Sequence, residues 1–308
     1  MTITNHCTDM NVLVTGANGQ LGNKMRLIAP SRRDKFIFSD IIHASGEDTA
    51  ILDITDAAAV RTAIQDNDID VIVNCAAYTA VDKAEDEPEF CATINASAPG
   101  VLAAAAKEAG ALLIHISTDY VFDGQLHERP YTEKDGCSSS SIYGRTKLDG
   151  EKAVTASGCD YVILRTAWLY SEFGKNFLKT MLRLFSSKDR INVVSDQIDT
   201  PTYALDLAEA ICSIMDDYST RSPNNPYERN EIYHYSNEGS CSWYDFARKI
   251  SELSGNTSCE IFPCSSDAYP SKAVRPMYSV LDKTKFKTAF GISIPLWSDS
   301  LKKCIGNL

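Results

Sequence analysis

Residues 15–22 read Thr15-Gly16-Ala17-Asn18-Gly19-Gln20-Leu21-Gly22 and follow the apolar run Asn11-Val12-Leu13-Val14. This pattern predicts a buried strand that ends in a phosphate-binding turn. The first glycine allows a tight turn, the second lets the backbone approach a pyrophosphate, and the third lets a helix pack closely on the strand. We expect the helix to begin near Asn18 and to point its free N–H groups at the phosphates. The alternative interpretation is a plain connection between strand and helix, where glycine-rich turns also occur.

A carboxylate follows the next apolar segment. Phe36-Ile37-Phe38-Ser39 leads to Asp40, about where a nucleotide-binding βαβ unit places an acid on the ribose hydroxyls. With the glycine turn, Asp40 predicts a dinucleotide site. A carboxylate there accepts hydrogen bonds from a ribose diol and repels a 2′-phosphate. Because Arg32 and Arg33 precede the segment and can partly compensate, we expect NADPH as cofactor with NADH also usable.

Composition and charge exclude several classes of function. Of the 308 residues, 44% are hydrophobic and 23% are charged, which is typical of a soluble globular protein. The net charge of −11 argues against a broad nucleic-acid or membrane surface. No apolar run approaches the roughly 20 residues that span a bilayer, and the chain begins without a hydrophobic signal segment. We therefore expect a cytoplasmic protein that binds neither nucleic acid nor membrane.

The cysteines and histidines predict neither a disulfide framework nor a metal site. The ten cysteines are scattered and include no Cys-x-x-Cys pair, as in a reduced cytosolic protein. The five histidines lack the spacing of metal ligands.

Strand and helix patterns alternate through the first half of the chain. Near-continuous apolar runs, as a buried parallel sheet requires, predict strands at 11–15, 36–39, 71–75, 112–117 and 161–165. Helical patterns fall between them, at 20–29, 56–66, 96–109 and 141–157. This alternation predicts an α/β fold with a doubly wound parallel sheet, which is Rossmann-like.

The second half is less regular and predicts a smaller, partly interleaved α+β substrate domain. Helices are expected at 176–185, 203–215 and 242–254, with a surface loop at 220–230. We expect a polar extension over residues 1–10. The dinucleotide-binding domain then covers 11–168 and about 203–233, and the substrate domain covers about 169–202 and 234–308.

The sequence Tyr143-Gly144-Arg145-Thr146-Lys147 places a phenol and an ammonium on one face of a predicted helix. A cation beside a phenol favours the phenolate and lowers its pKa from about 10 toward the range of an acid/base catalyst. The fourth predicted strand ends near Thr118, and catalytic groups of a doubly wound sheet collect at the carboxyl ends of strands. Thr118 and Tyr143 are therefore expected to meet beside one cofactor; the alternative is an ordinary surface pair.

These residues resemble the extended short-chain dehydrogenases/reductases, and among them the dTDP-4-dehydrorhamnose reductases. The resemblance covers about residues 11–300. Besides the glycine turn, the segments that carry it are 74–85, 117–124, 143–148, 165–170, Asn176-Phe177, Asp196-Gln197 with Pro201-Thr202, and Arg275-Pro276.

The resemblance implies that the chain reduces the C4 ketone of dTDP-4-dehydro-β-L-rhamnose with hydride from NAD(P)H. Tyr143 would be the general acid, Lys147 would hold the nicotinamide ribose, and Thr118 would hydrogen-bond the reacting oxygen. The implied cofactor-binding residues are Gly16, Asn18, Gly19, Gln20, Leu21, Asp40, Asp53, Ile54, Ala76, Ala77, Tyr78, Thr79, Tyr143 and Lys147. The implied substrate contacts are Thr118, Asp119, Trp168 and Arg275.

Two of these side chains have an alternative interpretation. Trp168 follows an apolar strand and can equally pack in the core. Arg275 can be an ordinary surface cation, although a guanidinium suits a diphosphate well.

Two positions depart from the pattern that the resemblance implies. Asp199 stands where the motif Asp-Gln-x-Gly-x-Pro-Thr has glycine. Lys24 stands where some relatives place an acidic side chain that binds magnesium between subunits, and a lysine repels a cation. We therefore expect no magnesium-bridged dimer, and a monomer or weak homodimer instead.

Three other functions remain open at this point. A sugar-nucleotide dehydratase would have Asp-Glu after the active-site threonine, whereas this chain has Asp119-Tyr120. Another sugar-nucleotide reductase or an epimerase needs only hydride transfer. A regulatory subunit resembling the beta subunit of methionine adenosyltransferase would bind the dinucleotide without catalysis.

Overall fold

The structure is a computed structural model and describes residues 9–125, 128–220, 230–269 and 271–308. In chain order its strands are β1 (Asn11–Thr15), β2 (Lys35–Asp40), β3 (Ala50–Ile51), β4 (Val71–Asn74), β5 (Leu112–Thr118), β6 (Asp160–Thr166), β7 (Leu169–Tyr170), β8 (Arg190–Val194), β9 (Ile198–Asp199), β10 (Thr202–Tyr203), β11 (Glu231–His234), β12 (Cys241–Ser242) and β13 (Glu260–Cys264). The α-helices are α1 (Gln20–Ile28), α2 (Ala57–Asp66), α3 (Val81–Ala84), α4 (Pro88–Ala92), α5 (Ala98–Ala109), α6 (Ile142–Ser157), α7 (Phe177–Phe185), α8 (Ala204–Ser219), α9 (Trp243–Ser254), α10 (Thr284–Phe290) and α11 (Trp297–Ile305).

Seven strands form the main sheet in the order β11-β6-β5-β4-β1-β2-β3, and all neighbours pair in parallel. From β1 the chain adds β2 and β3 on one side, then returns to add β4, β5, β6 and β11 on the other. The strand order therefore reverses between β1 and β4, and ligands of such sheets bind at the carboxyl ends of the strands at this point. The predicted Rossmann-like doubly wound sheet is confirmed.

Alternate residues of the strands face two separate cores, because successive side chains of a strand point to opposite faces. Val12 and Val14 pack with α1 and α8 on one face, and Leu13 packs with α2 and α5 on the other. Both faces of the sheet are thus covered by helices, which explains the near-continuous apolar runs in the sequence.

A third core lies outside the main sheet. It joins α7, α9 and α11 through Leu178, Phe246, Ile250 and Leu301, with Tyr170 and Tyr203 from β7 and β10. Three two-stranded sheets flank this core: β7 with β10, β8 with β13, and β9 with β12. The last pair is antiparallel, and the other two are parallel.

Some predicted boundaries are wrong for identifiable reasons. The helix predicted at 20–29 does begin at Gln20, after the N-cap Gly19. It does not begin near Asn18, because the Asn18 N–H donates to Asp40 Oδ2 at 3.0 Å and so belongs to the turn. Met10 is not part of a loose extension: its side chain is buried, and its N–H donates to Asp34 Oδ1 at 3.1 Å. Residues 1–8 of that predicted extension, and 221–229 of the predicted loop, lie outside the described residues.

Strands of two to five residues in the second half were missed, as was β11 in the main sheet. Such segments are too short for a clear periodicity. No helix in the described part of the chain is long and apolar enough to cross a membrane. The cysteines of that part carry free thiols.

Candidate active site

A cleft of about 610 Å³ opens at the point where the strand order reverses. Its floor comes from the carboxyl ends of β1, β4 and β5, and the segments after β6 and β7 line one wall. The predicted site residues that line it are Gly16, Gly19, Gln20, Leu21, Ala77, Thr79, Thr118, Asp119, Tyr143, Lys147 and Trp168.

The glycine turn packs directly against the next strand of the sheet. Gly16 has φ +63°, and a Cβ on it would lie 2.6 Å from the Ala76 backbone nitrogen, so a side chain fits neither the conformation nor the space. The Gly19 N–H donates to the Gly16 oxygen at 3.0 Å and closes the turn. No side chain of the described residues caps α1, which leaves its first N–H groups for a ligand at the cleft. The turn therefore fits a pyrophosphate group.

Asp40 supports this turn from the end of β2. Its carboxylate accepts hydrogen bonds from the N–H groups of Asn18 at 3.0 Å and Ile41 at 2.8 Å. The expected compensation by Arg32 and Arg33 is wrong, because both precede the amino end of β2 while Asp40 ends the strand, about 20 Å away at 3.3 Å per residue. Arg32 pairs instead with Asp34 and Asp216.

Thr118, Tyr143 and Lys147 come together from β5 and α6. Ser141 caps α6 by accepting a hydrogen bond from the Gly144 N–H at 3.1 Å, so that Tyr143 lies in the first turn and Lys147 one turn further on. The Thr118 side chain lies close enough to the Tyr143 phenol to affect its pKa. The Lys147 ammonium donates to the Ile116 oxygen of β5 at 2.6 Å.

The electrostatics of this group differ from the prediction. Burial raises the pKa of the Tyr143 phenol, and the nearby Thr118 side chain only partly offsets this effect. Burial lowers the pKa of Lys147 to about 8, against an opposing effect of Glu151. The predicted lowering of the Tyr143 pKa is therefore wrong for this structure, because the loss of hydration outweighs the nearby cation. A neutral phenol can donate a proton, so the direction suits a general acid.

The segment after β4 is held by Asn95, which the sequence analysis missed. Its side-chain amide accepts from the Tyr78 N–H and donates to the Tyr78 oxygen, both at 2.9 Å. The Tyr78 hydroxyl donates to Glu87, and its ring contacts Phe90, so this side chain does not line the cleft.

Five other implied cofactor residues do not line the cleft: Asn18, Asp40, Asp53, Ile54 and Ala76. The Asp53 carboxylate accepts from the N–H and hydroxyl of Thr55 in a local turn. The side chain of Ile54 is buried in the core beneath the sheet. The Asn18 amide donates to the Ile42 oxygen at 2.8 Å.

Two stacked indoles line the cleft. The rings of Trp168 and Trp243 lie 3.4 Å apart between centroids, with 12° between their planes. Trp168 has φ +44°, an uncommon conformation for a bulky residue. Trp243, which begins α9, was not predicted, since a tryptophan in an amphipathic helix also fits a core position.

Arg275 does not line the cleft. Its guanidinium donates to Asp82 Oδ2 at 2.7 Å, and Asp82 also accepts from the Ala273 N–H at 3.2 Å. The segment around Arg275 is thereby tied to α3, which begins at Val81 in the cleft wall.

Comparison with known proteins assigns the family. The model of the RmlD substrate binding domain matches residues 10–308. The chain belongs to the RmlD substrate-binding-domain family. A dTDP-4-dehydrorhamnose reductase of Sinorhizobium fredii is 38% identical over 300 residues, which cover 96% of this chain and 97% of that protein.

Solved structures of dTDP-4-dehydrorhamnose reductases superpose on this chain over nearly its whole length. A dTDP-4-dehydrorhamnose reductase of Clostridium acetobutylicum superposes with a TM-score of 0.86 at 40% identity, over 97% of this chain and 99% of that chain. The same enzyme of Bacillus anthracis, in complex with NADP, has a TM-score of 0.86 at 34% identity, over 98% of this chain and 100% of that chain. The predicted resemblance to dTDP-4-dehydrorhamnose reductases is confirmed.

Lys24, a departure from the pattern expected of RmlD relatives, is buried within the molecule. Its ammonium lies 2.5 Å from Glu172 Oε2 and donates to the Tyr203 hydroxyl at 3.1 Å. The described residues contain no group of three or more His, Cys, Asp or Glu side chains that could hold a metal ion.

Asp199, the second departure, is fully buried at the end of β9. Its carboxyl accepts from the Thr200 N–H and the Ser279 hydroxyl, both at 2.7 Å. In this RmlD family member the side chain is therefore accommodated inside the molecule rather than at a solvent-exposed turn.

Proposed function

We propose that the chain reduces the C4 ketone of dTDP-4-dehydro-β-L-rhamnose to dTDP-L-rhamnose, with NADPH as hydride donor. The observation that carries this proposal is the single cleft in which Thr118, Tyr143 and Lys147 face the glycine turn. The RmlD relatives named above as reductases, one of them in complex with NADP, support the same reaction.

The cleft fits a dinucleotide. Gly16, Gly19, Gln20 and Leu21 would hold the pyrophosphate, Asp40 the adenosine ribose, and Asp53 with Ile54 the adenine. Ala76, Ala77, Tyr78 and Thr79 would form the nicotinamide side, and of these four Ala77 and Thr79 line the cleft itself. NADPH, when bound, supplies the hydride.

Side chains of the protein supply the proton that the C4 oxygen receives. Tyr143 donates its phenolic proton to the C4 oxygen as the carbonyl is reduced, and Thr118 hydrogen-bonds the same oxygen. Lys147, held by the Ile116 oxygen, orients the nicotinamide ribose and stabilises the phenolate that Tyr143 leaves behind.

On the substrate side, Asp119 and Trp168 are the proposed sugar contacts, because both line the cleft beside Thr118. Arg275 would bind the diphosphate after leaving Asp82, since a guanidinium pairs well with either anion.

We also propose the division into domains given above, with the dinucleotide bound by residues 11–168 and about 203–233. The substrate would be held by about 169–202 and 234–308. The protein would act in the cytoplasm as a monomer or weak homodimer, without a bridging magnesium ion.

The decisive experiment couples this protein to the enzymes that make dTDP-4-keto-rhamnose and follows NADPH oxidation. We expect turnover by the wild type and a loss of at least about 100-fold for Tyr143→Phe, which lacks the proton donor. Tyr161→Phe, which removes a hydroxyl outside the cleft, is the control. Cofactor binding without turnover would favour a regulatory subunit, and an unaffected Tyr143→Phe would reject the mechanism.

A further inference from the structure

Two buried carboxyl groups meet directly behind the proposed catalytic threonine. Asp119 follows Thr118 at the end of β5, and Asp199 ends β9. Their exposed fractions are 2% and 0%. The two carboxyls lie close enough for each to affect the pKa of the other.

Ordinary donors satisfy only three of the four carboxyl oxygens. Asp119 Oδ1 accepts from the Thr118 hydroxyl at 2.9 Å, and the two oxygens of Asp199 accept from Thr200 and Ser279. Asp119 Oδ2 is buried and receives no hydrogen bond from the described residues while both carboxyls are ionised. The Ser279 hydroxyl lies near both acids, but its one proton is used on Asp199. Within the described part of the chain, no lysine or arginine forms an ion pair with either acid.

A proton on one of the two acids would supply the missing donor. Two carboxylates in contact inside a protein cannot both remain ionised, because each loses its hydration and each repels the other. Burial raises the pKa of both groups, and the charge of Asp119 raises that of Asp199 further. One carboxyl is then an acid that donates to the other, as in the known carboxyl dyads.

We propose that Asp119 and Asp199 share one proton, and that its position decides whether the Thr118 hydroxyl points toward Asp119 or toward Tyr143. This role rests on the reductase function proposed above. Asp199 is a positioning residue, because it acts on the reacting groups through Asp119 and Thr118.

The two positions of the proton give two hydrogen-bond arrangements. With the proton on Asp199, Asp119 is ionised and accepts from Thr118, which leaves the Thr118 oxygen to accept from the Tyr143 hydroxyl. With the proton on Asp119, the new O–H lies on Oδ2 and donates to Asp199. Asp119 is then neutral, its Oδ1 accepts more weakly from Thr118, and the Thr118 proton turns toward Tyr143. The O–H bond of Asp199 breaks as that of Asp119 forms, so the pair gains and loses no proton overall.

This exchange matches the needs of the reaction. The neutral Tyr143 donates, whereas the phenolate that it leaves needs a donor, and the Thr118 side chain lies beside it. A shift of the shared proton supplies that donor without bringing a proton in from solvent.

Several titratable groups face the pair from other elements. The charge of Asp119 acts to raise the pKa of Tyr120 and Tyr143, and that of Asp199 acts to raise the pKa of Tyr278, Cys241 and Lys283. Burial raises the pKa of the tyrosines and of Cys241, so they are neutral near pH 7. Lys283 is the only cation of this set.

Infrared spectroscopy of the ligand-free protein tests the shared proton without reference to activity. At about pH 8, where ordinary carboxyls are ionised, we expect the carbonyl band of a protonated carboxyl in the wild type. The band is expected to be absent from Asp199→Asn and Asp199→Gly, and present in the control Asp196→Asn, whose carboxylate instead binds Ser266. A wild type without this band would overturn the proposal, even if neither variant folds.

Steady-state kinetics test the role. The side-chain amide introduced by Asp199→Asn donates permanently to Asp119 and so fixes Thr118 as a donor to that acid. For Asp199→Asn we expect kcat to fall about tenfold with both KM values changed less than about twofold, the effect of one hydrogen bond lost only during reaction. Unchanged kcat, or a loss confined to KM, would overturn the positioning role. If the wild type itself shows no turnover, the proposed function fails. The infrared result still decides whether Asp119 and Asp199 share a proton.

Discussion

Lys24 of α1 and Glu172, two residues after β7, form a buried ion pair, with 2.5 Å between Lys24 Nζ and Glu172 Oε2. The exposed fractions of their side chains are 2% and 9%. The hydroxyl of Tyr203, which ends β10, donates to Glu172 Oε1 at 2.6 Å and closes a three-residue network. The helix that follows the phosphate-binding turn is thus tied to the proposed substrate side of the cleft.

Breaking this pair is expected to destabilise the protein strongly. Lys24→Met leaves Glu172 as a buried charge without its cation, which costs about 3–5 kcal/mol. Urea denaturation measures the free energy of unfolding. Lys152→Met, which removes the exposed pair with Asp149, should cost no more than about 1 kcal/mol. Equal losses for the two variants would contradict the importance of the buried pair.

The same network predicts that the free energy of unfolding depends on pH. Burial acts to raise the pKa of Glu172, but the hydrogen bonds from Lys24 and Tyr203 outweigh it and hold that pKa below the ordinary value. A carboxyl with a lowered pKa stabilises the fold fully above its unfolded pKa of about 4.3 and loses this contribution as the pH falls through the folded value. The difference in unfolding free energy between wild type and Glu172→Gln should be constant from about pH 6 to 8 and shrink below about pH 4. A difference that grows on acidification would refute this sign.

Gly16→Ala tests the contact between the turn and the segment that follows β4. Gly16 has a left-handed backbone conformation, and the added Cβ would lie 2.6 Å from the Ala76 backbone nitrogen. We therefore expect the free energy of unfolding to fall by about 2–4 kcal/mol and NADPH to bind more weakly. Gly110→Ala is a matched control, because Gly110 has a similar φ of +70° but nothing within 4 Å of its Cβ position. The free energy of unfolding of that variant should fall by only about 1 kcal/mol, and it should bind NADPH as the wild type does. Calorimetric titration with NADPH measures the binding.

Asp40 is expected to limit the preference for NADPH over NADH. Asp40→Ser removes a negative charge near the 2′ position, and we expect the ratio of kcat/KM for NADPH to that for NADH to rise about tenfold, equivalent to about 1.4 kcal/mol. Asp53→Ser removes a carboxylate that is used in a local turn, so it should change kcat/KM for NADPH and for NADH by the same factor. Strict NADPH dependence of the wild type would show that Asp40 does not disfavour the phosphate.

The pair of Arg275 with Asp82 predicts a competition. If Arg275 leaves Asp82 to bind the diphosphate, Asp82→Asn should lower KM for the nucleotide sugar a few-fold, whereas Arg275→Ala should raise it about tenfold or more. Lys272→Ala, which removes the neighbouring pair with Asp86, is the control. A higher KM in Asp82→Asn would mean that Asp82 holds Arg275 in place instead of competing for it.

The sequence by itself determined five of the seven strands of the main sheet, the glycine turn and the Tyr143–Lys147 pair, because their signals are local. A buried strand, a positive-φ glycine and two residues one helical turn apart are each visible within a few positions. Family resemblance supplied the reaction from the same short segments. Short strands such as β7 and β9 leave no periodic pattern, and the boundaries near Asn18 and Met10 depend on hydrogen bonds to Asp40 and Asp34.

Only the tertiary structure decided which charges are buried and with which partners. Lys24 and Glu172 are 148 residues apart by their numbers in the chain, and Asp119 and Asp199 are 80 apart. In the sequence, Lys24 and Asp199 were two isolated departures from a motif. Burial turns the first into an ion pair and the second into half of a carboxyl pair, because the free energy of a charge depends on its hydration and its neighbours, and folding sets both.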